Sequence, residues 1–153
     1  MKTLLTFLLL ISLTNTVFAA GSDSDDTVVK PKNYSKVKKL IKKENYSEAI
    51  KKLEEILSTK KFQNDPDIIN LYAFSLRKNN NFEKSEKQYK IALDIDPKHK
   101  GALEYLGELY VNTGRIEQAN QILAKLAGCK CKEYSRLEAV SYTHLTLPTT
   151  VIV

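Results

Sequence analysis

Three small residues, Ala49, Ser85 and Ala119, recur at intervals of 36 and 34, and each sits in the same local pattern. Three positions earlier stands a large apolar or aromatic residue (Tyr46, Phe82, Ile116), four later another (Leu53, Tyr89, Leu123), and seven later a further apolar one (Ile56, Ala92, Leu126). Offsets of three, four and seven put all of these on one face of a helix. A unit of this length cannot bury that face alone, so the repeat requires stacking of successive units into one shared core. The composition agrees. Five glycines, four prolines and no tryptophan among 153 residues suit helices, and argue against an all-β sandwich or a doubly wound nucleotide fold.

Each small residue belongs to the second helix of a pair. The first helix of the second unit carries the stripe Ile69, Tyr72, Ala73 and Leu76, and that of the third Leu103, Leu106, Gly107 and Tyr110. Asn79-Asn80-Asn81 and Asn112-Thr113-Gly114 supply residues that tolerate a left-handed backbone between paired helices. Asp65-Pro66 offers an N-cap and a first-turn proline, and Asp96-Pro97 closes a unit. The series Ile69, Tyr72, Ala73, Leu76, Ser85, Tyr89, Ala92, Pro97, with its counterpart Leu103, Leu106, Gly107, Tyr110, Ala119, Leu123, Leu126, resembles the tetratricopeptide repeat. That resemblance implies an all-α fold: helix-turn-helix repeats in a short right-handed α-solenoid. The units are 33–65, 66–99 and 100–128, and a capping helix starts within 131–139. The first unit departs from the family pattern. Its upstream helix, about Tyr34–Lys43, offers only Val37, Leu40 and Ile41, with Lys36 in a normally apolar place, and reads as a solvated end hairpin.

The ends of the chain read differently from the middle. Lys2, the apolar run Leu4–Leu13 and Val17-Phe18-Ala19 have the anatomy of a cleaved export signal over 1–19, and the apolar stretch is short for a stable membrane span. Residues 20–32 form an acidic leader expected to be disordered. Val140–Thr149 resembles the in-frame translation of a sequencing-library adapter, which implies a non-native tail over 140–153 and a capping helix cut near Ala139. Between signal and tail lies one domain's length of chain.

Catalytic chemistry finds little support. No Gly-rich phosphate loop, His-Glu-x-x-His or Gly-x-Ser-x-Gly occurs, and outside the tail the one histidine is His99. The carboxylate pairs Glu54-Glu55, Asp94/Asp96 and Glu104/Glu108 read as solvated helix faces or lysine partners. The expectation is a protein that is not an enzyme and needs no cofactor. Cys129 and Cys131 are the only cysteines; the readings open to them are a disulfide, free or intermolecular thiols, and a soft-metal site lacking co-ligands. A resemblance to small exported tetratricopeptide proteins of Gram-negative bacteria, in which a cysteine pair precedes a Glu-Tyr-x-x-Leu helix, implies a disulfide and a periplasmic or secreted location. The charge is uneven. Lys30–Lys61 holds eleven lysines against four glutamates, whereas Phe62–Ala139 is nearly balanced at twelve basic against eleven acidic residues. Export and the lack of interleaved aromatics argue against nucleic acid; an anionic lipid, an envelope polymer or an acidic protein suits the basic hairpin better, beside the plain reading of a solvated end.

The tetratricopeptide resemblance also implies a concave groove lined by first helices and holding a peptide or partner helix. The groove positions fall on Asn70, Phe74, Arg77 and Lys78 in the second unit and on Glu104, Glu108, Val111 and Asn112 in the third. Phe74, opposite the core stripe, reads either as an interface anchor or as packing against the next unit. The subfamily that clamps a C-terminal carboxylate uses Lys, Asn and Arg where this chain has Tyr34, Lys38, Leu71, Gly101 and Tyr105, so that activity is not implied. The expected function is a non-enzymatic adaptor in the cell envelope, the alternatives being a thiol or metal protein acting through Cys129 and Cys131, or a basic-surface binder.

Overall fold

A computed structural model describes residues 30–146, with side chains to residue 143. The export segment, most of the acidic leader and the end of the tail lie outside the described residues. Among the described residues the chain is all-α, with seven helices and no strand: α1 (Tyr34–Lys42), α2 (Tyr46–Leu57), α3 (Pro66–Lys78), α4 (Phe82–Ile95), α5 (Lys100–Asn112), α6 (Ile116–Leu126) and α7 (Lys132–Thr146). Successive helices pack in order, as in an α-solenoid, and α7 lies against both α5 and α6. No helix among the described residues is long and apolar enough to cross a membrane.

The three hairpin turns repeat as faithfully as the core. Glu44, Asn80 and Gly114 each adopt a positive φ (57°, 62° and 73°), and each lies five residues before one of the recurring small residues. The next residue's N–H then reaches back to a helix carbonyl: Asn45 to Leu40, Asn81 to Leu76 and Arg115 to Tyr110, at 2.9, 2.9 and 2.8 Å. This is the six-to-one closure that satisfies orphan carbonyls at a helix end. Asn45 and Asn81 then cap α2 and α4 by accepting from the Glu48 and Lys84 N–H groups, and Asp65 caps α3 from in front of Pro66. Arg115 makes no side-chain cap.

α3 is the joint between two apolar clusters. Ile68, Tyr72 and Leu76, four residues apart, point into the first hairpin with Val37, Leu53 and Ile56; Ile69 and Ala73 turn the other way, toward α4, α5 and the rest of the core. Full burial of one such side chain contributes about 1.5–3 kcal/mol, so α3 loses heavily if either neighbour detaches. At the small positions the helices come close: Ser85 Oγ, fully buried, donates to the Ala73 carbonyl at 2.7 Å, tying α4 to α3.

Three details differ from the sequence pattern. Phe82 is 39% exposed, because it is the first residue of α4 and sits at the hairpin tip. In α6, Ile122 is buried whereas Leu123 is only partly so. α7 crosses Ala139 without a break, running past the start of the supposed tail: Leu137 is fully buried, Val140 packs on the core and Ser141 is 4% exposed. Spacings of three and four carry one helical face across the junction, and no glycine or proline intervenes before Pro148.

Candidate functional site

The face shared by α3 and α5 carries a connected set of aromatic and charged side chains. A ladder of rings crosses it. Tyr46, at the start of α2, meets Phe74 edge-on with centroids 6.3 Å apart; Phe74 lies 4.9 Å from Tyr105 of α5; Tyr105 lies 6.4 Å from Tyr89, buried in α4. The Arg77 guanidinium stands 5.6 Å from the Phe74 centroid and 5.5 Å from that of Tyr105, within cation–π range of both. Its Nη2 reaches Glu108 Oε2 at 2.7 Å, joining α3 to α5. Helix periodicity produces this arrangement: Asn70, Phe74 and Arg77 are spaced by four and three on one face of α3, and Tyr105 and Glu108 by three on α5.

The eight groove positions divide accordingly. Phe74 is half-buried, because its ring is held between two units, and Arg77, only 8% exposed, is an inter-repeat tie more than a free contact. Asn70 is partly buried and its Oδ1 has no hydrogen-bond partner, nor has Arg77 Nε. Lys78 and Asn112 are exposed at the ends of α3 and α5. Glu104 and Val111 present no surface to a partner, being 2% exposed each. Val111 packs into the core. Glu104 lies beneath α7, where Arg136 Nη1 donates to its Oε1 at 3.3 Å. Burial pushes the Glu104 carboxyl above its ordinary pKa, helped by Glu108 and Glu133 and opposed by Arg136. The capping helix expected from 131–139 does close that end as α7, inserting Leu137 over Gly107, which has no side chain to exclude it; the groove position Glu104 is nevertheless one that it covers. Arg136, Leu137 and Tyr105 therefore shape the site although the repeat pattern assigns them no such role. For Leu137 the available signal was the small residue at Gly107, which invites close approach.

Other polar groups act as fasteners. Glu54 accepts from Tyr72 Oη (2.6 Å) and from Lys84 (3.1 Å), and the tyrosine hydrogen bond in particular holds its pKa down. Glu86 gathers Tyr110 Oη, Arg115 and Lys90; burial works against its charge, but the two cations outweigh it and its pKa is lowered. His99 is a helix cap: its Nδ1 accepts from the Ala102 N–H at 3.0 Å, which leaves the proton on Nε2, 3.2 Å from Asp67 Oδ1.

Cys129 and Cys131 are joined as a disulfide after α6. In this state neither offers a thiolate, and among the described residues no group of three His, Cys, Asp or Glu side chains is placed to hold a metal ion. Clefts of about 200 to 440 Å³ open on other faces, one of them, of about 290 Å³, between α4, α5 and α6 over Leu103, Leu106 and Ile122. Compared with known families and curated proteins, the chain matches no family model and no curated sequence.

Proposed function

We propose that this chain is an exported protein of the tetratricopeptide type, without catalytic activity of its own, that holds a peptide or helix of a partner protein on the face formed by α3 and α5. The observation that carries the reading is the half-buried platform of Phe74 and Tyr105 with Arg77 beside both rings, bridging two units. Aromatic and arginine side chains at the centre of a patch are the groups that dominate binding energy, and here their conformations are fixed in advance by the repeat stacking. Lys78 and Asn112 form an exposed polar rim at the far ends of the two helices. Because α7 covers Glu104, the open surface is expected to run from α5 back toward α1. Export rests on the pattern of residues 1–19, and a location in the cell envelope follows from that pattern and from the resemblance.

The test is selection of short peptides by display against the purified chain, followed by titration of the selected peptides into Phe74→Ala. The expected result is peptides of a shared pattern whose affinity falls at least tenfold in Phe74→Ala, the size of loss that marks a central anchor. Selected peptides that bind Phe74→Ala as well as the parent would overturn the assignment.

A further inference from the structure

The outer half of α1 is a cationic face with no carboxylate on it. Val37 is buried and Tyr34, Leu40 and Ile41 are half-buried, so the inner half of the helix is spent on packing. Everything charged in α1 and at its end points outward: Lys36, Lys38, Lys39, Lys42 and Lys43, all exposed. None of the five makes an ion pair with a described residue. The hairpin's other pairings involve different lysines, Lys30 with Asp67 and Lys52 with Glu55. An ordinary solvated helix intersperses acids at three- and four-residue spacing; α1 has none, and the nearest in sequence is Glu44 in the following turn.

The choice of cation narrows the partner. All three arginines of the chain are engaged in defined ion pairs, Arg77 with Glu108, Arg115 with Glu86 and Arg136 with Glu104. The 30–61 segment has eleven lysines and no arginine. Arginine's planar fork suits an anion fixed in position, whereas lysine is a point charge on a flexible stem. A row of lysines without ion pairs, of which Lys38 alone has a ring contact, 5.8 Å from the Tyr34 centroid, therefore fits a layer of mobile anions better than a stereospecific acidic pocket. We propose that the α1 lysine face is an electrostatic docking surface for an anionic lipid bilayer, lying on the first hairpin and separate from the α3–α5 platform. The face binds headgroups collectively.

The experiment is co-sedimentation of the full chain with phosphatidylcholine vesicles and with vesicles containing about one third phosphatidylglycerol. Each lysine near an anionic surface contributes roughly fivefold in partitioning. The chain is expected to bind the anionic vesicles alone, to be released as salt shortens the Debye length, and to lose roughly a hundredfold or more of its binding when Lys36, Lys38, Lys39, Lys42 and Lys43 are all changed to Gln. A charge-matched variant with Lys84, Lys87, Lys90, Lys98 and Lys125 changed to Gln should bind much better than the α1 variant, and circular dichroism identifies either variant that has lost its helices. Four results would each overturn the proposal: no binding by the parent chain, equal binding to neutral vesicles, equal losses in the two folded variants, or displacement from anionic vesicles by duplex DNA at equal total anionic charge.

Discussion

Gly107→Ala sets two effects of opposite sign against each other, and the structure decides between them. In an exposed helix interior the change would stabilise by about 1 kcal/mol, because alanine loses less conformational freedom. At Gly107 an added Cβ overlaps Leu137 Cδ2, lies 2.7 Å from Cδ1 and 3.1 Å from Cγ. Leu137 is fully buried, so its side chain has little room to swing aside. Overpacking of this kind costs about 1–3 kcal/mol, which outweighs the propensity gain over most of its range. The expected net loss is up to about 2 kcal/mol, seen as a Tm lower by up to roughly 10 °C for a domain of this size. Leu137→Ala alone should cost about 2–5 kcal/mol through the cavity it leaves. Combined with Gly107→Ala it should cost less than the two changes added together, since the new methyl then fills that cavity. Chemical denaturation of the four proteins measures the coupling, and hydrogen exchange shows whether α7 is the element that loosens. A higher Tm for Gly107→Ala, with additive costs in the double variant, would refute the packing of α7 on α5.

Glu44→Gly should stabilise by roughly 0.5–1 kcal/mol, because glycine adopts the positive φ that a glutamate side chain resists; Gly114→Ala should destabilise by at least as much at the equivalent turn, both read from thermal melts. Arg77→Met alone should cost several kcal/mol by leaving Glu108 unpaired in a mostly covered site, while Arg77→Met with Glu108→Leu should recover most of that, on the precedent of buried pairs replaced together. Glu104 has a raised folded-state pKa, so its protonated form favours the folded protein: its contribution is present below the unfolded carboxylate pKa and is lost as pH rises through the raised value. Glu104→Gln should therefore show less change in Tm than the parent across that acid window, after allowing for Glu54 and Glu86, whose lowered pKa values act in the opposite sense.

The sequence makes the helical array legible because the constraints that set it are local or periodic. Ala49, Ser85 and Ala119 mark where helices must approach, and Asn45, Asp65 and Asn81 lie where caps are needed. The positive-φ turns recur at the same spacing, though Glu44 hides the first behind a residue that gives no turn signal. The α3–α5 face was legible only in part. Phe74 and Arg77 are on it, but that Arg77 is a buried tie to Glu108 depends on a partner 31 positions away. Glu104 and Val111 occupy the positions that Asn70 and Arg77 hold in the preceding unit, and although a capping helix is expected after 131, the register that places Arg136 over Glu104 and Leu137 over Gly107 is set by tertiary packing. His99 is not among the usual capping residue types, so its role at the start of α5, where Nδ1 accepts from the Ala102 N–H, gave no signal in the sequence.

On the proposed function, a partner protein is held on the α3–α5 face. Photo-crosslinking tests it most directly: a benzophenone amino acid is placed at Lys78 or Asn112 on that face, and at Glu83 or Lys87 on α4 as a comparison, in the full chain within its own cells. One shared crosslinked protein is expected from Lys78 and Asn112 and none from the α4 positions, with the adduct lost when Phe74→Ala is added. Capture of the same protein from the α4 positions, or adducts that persist in Phe74→Ala, would contradict it.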